Sequence, residues 1–100
     1  MSYENAIKIF EQADNLRGMG VSFGNIAYIF QKQDQEVDAM LYYDTAMYYL
    51  DQAEDIFYLE NIYANLSELH HKADRLDEAY AYLLKYQEIR DSISSDEVLR

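Results

Sequence analysis

The sequence predicts an all-α fold built as a solenoid of antiparallel helix pairs, and three observations predict it. Pro is absent and Gly occurs only three times in 100 residues, so few positions are chosen to break regular structure. Half of the residues are hydrophobic, and they recur at intervals of three and four, the spacing that lines one face of a helix. The stretch from Asn25 to Ala46 is also written again, in looser spelling, from Asn65 to Tyr86. Asn25-Ile26-Ala27, Phe30, Ala39, Tyr43 and Ala46 answer to Asn65-Leu66-Ser67, His70, Ala79, Leu83 and Tyr86, each pair offset by 40 residues. Such repetition marks helix pairs that bury their apolar faces on one another.

The elements follow in chain order. From Tyr3 to Leu16 the apolar positions Ala6, Ile7, Ile9, Phe10, Ala13 and Leu16 predict a helix, and Gly18 is expected to close it in a left-handed conformation. A second helix is predicted from Gly20 to Gln33, burying Phe23, Ile26, Ala27 and Phe30. Gly24 within it either leaves room on an inward surface or is neutral. Asp34-Gln35 reads as a tight turn, because Asp tolerates left-handed geometry. A third helix begins near Glu36 with the stripe Val37, Ala39, Met40, Tyr43, Ala46, Met47, Leu50 and Ala53.

A break is expected between Asp51 and Asp55, where neither Gly nor Pro marks the edge and the acids suit the N-terminus of a following helix. The fourth helix should run from Ile56 to Lys72, burying Leu59, Ile62, Tyr63, Leu66 and Leu69, with His70 in an aromatic slot. Asp74-Arg75 repeats the turn at Asp34-Gln35. The fifth helix, from Leu76 or Asp77 to Arg90, should bury Leu76, Ala79, Tyr80, Leu83, Tyr86 and Ile89. Ser94 with Glu97 forms a capping-box pattern, which predicts the start of a sixth helix. About five helices and the start of a sixth thus form one domain: a half repeat over 1–18, repeats over 20–53 and 56–91, and a further helix from 94.

At this point the pattern resembles the tetratricopeptide repeat family. Phe23, Ile26-Ala27, Phe30, Ala39, Tyr43 and Ala46 fill the family's large, Leu-small, aromatic, Ala, aromatic and Ala places in one repeat. Tyr63, Leu66-Ser67, His70, Ala79, Leu83 and Tyr86 fill them in the next, and Ala6, Phe10 and Ala13 match the last three places of a preceding one. Ala6 to Ala39 spans 33 residues but Ala39 to Ala79 spans 40, against a family period of about 34. The extra residues are expected to lengthen the helices flanking Asp51. The usual turn glycine and closing proline are replaced by Asp34 or Asp74 and by Asp51 or Asp91. More narrowly, the chain is similar to repeat arrays that precede signalling modules in bacterial sensor proteins. The resemblance implies a right-handed solenoid in which Ala27, Ala39, Ser67 and Ala79 mark close helix approaches, and a non-enzymatic role in protein-protein interaction within a larger signalling or scaffold protein.

Composition bounds the same role. Cys is absent, so neither disulfides nor thiolate metal sites are available. No apolar run reaches the ~20 residues of a membrane span, and Met1-Ser2-Tyr3-Glu4-Asn5 lacks the basic start of an export signal. A soluble chain without membrane insertion, with the cytoplasm as the favoured compartment, is the expectation. With 19 acidic and 8 basic residues the net charge is -11, which repels nucleic-acid phosphates and anionic lipids. No Lys or Arg occurs between Lys32 and Lys72. That stretch is either a solvated face or an attractor for a basic protein or peptide partner.

In the fold of the resembled family the first helix of each pair lines a concave groove. Mapped here, the groove stripe is Asn25, Tyr28, Gln31 and Lys32 in one repeat and Asn61, Asn65, Glu68, His71 and Lys72 in the other. Asn25 and Asn65 carry amides able to donate to and accept from a peptide backbone, or else each satisfies a neighbouring helix. Tyr28 offers an aromatic ring with a polar tip. Lys32 and Lys72 alone do not make the basic clamp by which some family members hold a terminal carboxylate. His70-His71 occupy adjacent helix positions about 100° apart, poorly placed to share an ion, so no metal, cofactor or catalytic residue is assigned. The rival reading is self-association through exposed terminal helices, to which Tyr42, Tyr48 and Tyr49 could contribute.

Overall fold

A computed structural model describes Asn5 and residues 15–99, with side chains through Ile93. Among the described residues there are four α-helices and no strand: α1 (Leu16–Lys32), α2 (Glu36–Gln52), α3 (Ile56–Lys72) and α4 (Leu76–Leu99). Of the helix expected from Tyr3 to Leu16, only Asn5, which is helical, and Asn15 and Leu16, which open α1, are among the described residues; Ala6, Phe10 and Ala13 lie outside them. The chain divides into two compact units, 1–59 and 60–100, with the boundary inside α3.

Successive helices start 20 residues apart, and each of the three corners between them takes three residues. All three corners close by one hydrogen-bond pattern. Asp34 N–H donates to Gln31 O and Gln35 N–H to Phe30 O; Glu54 donates to Asp51 and Asp55 to Leu50; Asp74 donates to His71 and Arg75 to His70. These paired bonds satisfy carbonyls that a helix end would otherwise leave orphaned, provided the corner residue is left-handed. Asp34, Glu54 and Asp74 are so, at φ 60°, 55° and 64°. Asp visits this region more readily than other side chains do, whereas Glu does so at a cost. The break expected between Asp51 and Asp55 is therefore at Ala53-Glu54-Asp55.

In the first unit α1 and α2 run antiparallel. Gly20 meets Leu50 near the open end, and the hydroxyl of Tyr43 donates to Oε1 of Gln31 near the corner. Ala27, Ala39, Tyr43, Ala46 and Leu50 are wholly buried. Beside them Tyr42 stacks between Phe23 (6.0 Å between centroids) and Phe30 (5.4 Å), and Tyr49 stacks on Phe23 at 5.7 Å. Tyr42 and Tyr49 thus pack within their own hairpin, while Tyr48 stays on the surface, edge-on to Tyr49. The first turn of α3 closes on α1: Asp55 caps it by accepting from Tyr58 N–H and pairs with Arg17.

The glycines of α1 correct the expected boundary. Gly18 lies inside the first turn of α1, and its N–H donates to Oδ1 of Asn15, the residue that caps the helix. No helix ends at Gly18, and none begins at Gly20. A Cβ on Gly20 would fall 2.5 Å from Cγ of Leu50, so glycine there lets two helices approach. Met19 and Ser22, with Gly24, belong to the buried side of α1.

The second unit repeats the seam. Tyr82 stacks on Tyr63 (6.1 Å) and on His70 (5.4 Å), where the first unit has Tyr42 on Phe23 and Phe30. Oγ of Ser67 donates to the carbonyl of Ala79 at 2.8 Å, at the close approach of α3 to α4. His70 is buried and its Nδ1 accepts from Nε of Arg75 at 2.8 Å. The helix runs on from Leu76 through Ser94 to Leu99, so the break expected after Arg90 and the new helix at Ser94 do not occur. A Ser-x-x-Glu spacing is equally compatible with a helix interior. Four residues expected in the core are on the surface: Val37, Leu76, Tyr80 and Leu83. Periodicity told which face of each helix is apolar, not whether a neighbour covers all of it.

Candidate functional site

The nine stripe residues fall into those that hold the fold and those that face solvent. On α1, Asn25 is half-buried and its Oδ1 accepts from the hydroxyl of Tyr58 at 2.8 Å. Gln31 receives the hydroxyl of the buried Tyr43, which satisfies a polar atom that would otherwise be costly inside. These two therefore tie α1 to α3 and α2 within the first unit. Tyr28 is 44% exposed, and Nζ of Lys32 lies 5.1 Å from its ring centroid. One turn apart on the helix, they form a surface cation-π pair.

On α3, Asn61, Glu68, His71 and Lys72 are exposed and Asn65 is half-buried. Glu68 and His71 line an open cleft of about 510 Å³ in the second unit, together with Ala64 and Ser67. Its other wall comes from α4, chiefly Leu76, Tyr80 and Leu83. Nζ of Lys85 sits 5.6 Å from the ring of Tyr63 and 5.8 Å from that of Tyr82. Arg90 reaches Glu60 at 3.4 Å.

The two adjacent histidines have separate surroundings, His70 stacked in the seam and His71 at the cleft. Among the described residues no group of three His, Asp or Glu side chains is gathered as metal ligands, and no helix is long and apolar enough to cross a membrane.

Sequence reasoning missed Tyr58 as the partner of Asn25, because a contact across 33 residues leaves no local signature. It also placed Leu76, Tyr80 and Leu83 inside. A signal was present: 40 positions earlier stand Glu36, Met40 and Tyr43, so the second copy is the more apolar at two of the three places. No family model, no curated protein and no solved structure matches the chain.

Proposed function

We propose that the chain is a tetratricopeptide-like interaction module, a right-handed solenoid fragment that binds a peptide or protein segment along the first helices of its pairs and carries no enzymatic activity. The observation that supports this most is the division of labour on α1 and α3. Their interior polar groups are satisfied within the fold, while Tyr28, Lys32, Asn61, Glu68, His71 and Lys72 stay at the surface. An aromatic ring with a cation above it, on a helix whose other side is fixed, gives a partner a stiff place to rest. The parent is a signalling or scaffold protein, and the partner is protein or peptide.

The test is a peptide-display library selected on the protein, with the enriched peptides measured by fluorescence anisotropy. Tyr28→Ala combined with Asn65→Ala is expected to weaken binding about tenfold or more, the size of a binding hot spot, with unchanged helical circular dichroism. Unaltered affinity sinks the assignment. A second reading, self-association, has its own support: Val37, Leu41 and Tyr48 lie exposed on α2, where Asp77, Ala81 and Glu88 stand 40 residues on. Sedimentation at several concentrations separates the two, since a monomer that still binds peptide excludes it.

A further inference from the structure

One seam position holds a group that can change its charge. His70 is 5% exposed and stacks on Tyr82 at 5.4 Å between α3 and α4. Forty positions earlier the first hairpin seats Phe30 there, against Tyr42. The difference matters because an imidazole takes a proton within a unit or so of neutral pH, and a phenyl ring never does. Nδ1 of His70 accepts from Nε of Arg75 at 2.8 Å. A guanidinium only donates, so this bond requires a lone pair on Nδ1, as in the neutral ring; an imidazolium carries a hydrogen on both nitrogens.

Within the second unit the charges nearest the ring are positive. Arg75 stands against Nδ1 itself, and Nζ of Lys85 lies 5.8 Å from the centroid of Tyr82, the ring on which His70 stacks. On its own helix the next two residues are His71 and Lys72, both exposed. The carboxylates closest along the chain, Glu68, Asp74, Asp77 and Glu78, are exposed as well. A proton on His70 breaks the bond to Arg75 and sets two cations together in a buried place, a strain the ring relieves by leaving the stack. We propose that His70 makes the second hairpin acid-sensitive: protonation of its ring releases the seam between α3 and α4, while the first hairpin, with Phe30 in that seat, stays closed. The unfolded chain takes the same proton near pH ~6.5. Below that pH the unfolded state binds one proton more than the folded one, so the stability is present above about pH 6.5 and is lost as the pH falls.

The chain has two histidines, so proton NMR of the whole protein follows the His70 ring directly, its signal assigned by its loss in His70→Phe. Titrated downward from neutral pH, His70 is expected to keep its neutral-form signal below the pH at which the same histidine in an unstructured peptide is half protonated. Urea unfolding on either side of that pH is the second readout. One pH unit below about 6.5, acid should raise the unfolding equilibrium constant of wild type about tenfold more than that of His70→Phe, the most that one proton gives. Should His70→Phe lose helical circular dichroism at neutral pH, His70→Gln takes its place, since its amide oxygen can accept from Arg75 and binds no proton. Amide exchange locates the effect, with protection expected to fall in α4 and to hold in α2. A His70 ring that is protonated at or above the pH of the peptide, the same acid response in wild type and variant, or equal loss of protection in both hairpins overturns the proposal.

Discussion

The first hairpin, α1 with α2, and the second, formed by α3 beyond Leu59 with α4, use one seam with different residues. Phe23, Tyr42 and Phe30 in one, and Tyr63, Tyr82 and His70 in the other, stack at nearly equal separations. His70 keeps the ring position of Phe30 because Arg75 satisfies its nitrogen; a ring in that place has to be flat before it has to be apolar. Where the hairpins part is the neighbouring face. There Tyr43 is sealed and bonded across its hairpin to Gln31, and Leu83 is not sealed.

The largest expected effect breaks the comparison at that pair. Tyr43→Ala should cost about 3 to 5 kcal/mol, the range for emptying a buried aromatic site, whereas Leu83→Ala should cost about 1 kcal/mol or less because much of that side chain already meets water. Urea unfolding followed by circular dichroism measures both, and equal costs would show that the two faces are alike in solution. Next, Ser67→Ala removes the hydroxyl that donates to the Ala79 carbonyl and should cost about 1 kcal/mol, although its counterpart in the first hairpin is already alanine. Glu54→Gly should stabilise by about 1 kcal/mol, since glycine takes the left-handed corner without the penalty borne by glutamate. Asp74→Gly should gain less, which amide exchange at the two corners would also register. Arg17→Ala leaves the carboxylate of Asp55, 6% exposed against 70% for the arginine, with the Tyr58 amide and one charged partner fewer, so it should cost about 1 kcal/mol, above the usual surface pair.

Much of this was legible before any coordinates, and the reason lies in particular residues. Ile56–Lys72 has the expected bounds because an acid precedes it and an unbroken apolar stripe fills it. Ala39 and Ala79 are buried, as close approach requires. Asp34 announced its corner by residue type. Glu54 did not, since nothing local distinguishes a strained glutamate from a helical one. Gly18 and Gly20 misled because glycine suits both a helix end and tight packing: Leu50, 30 residues away, decides for Gly20, and the Asn15 cap decides for Gly18. For the candidate site, the helices that carry it were readable but the engagement of Asn25 and Gln31 was not. Their partners, Tyr58 and Tyr43, arrive through tertiary folding.

The uniform corners have a consequence for how such a chain can change length. Any excision that joins one corner to another preserves the local geometry, but removing twenty residues would set two helices of like kind side by side, whereas removing forty keeps the alternation in phase. Since α1, α2 and α3 are equally long, length alone cannot police that phase. The pairing of flat rings with small side chains does.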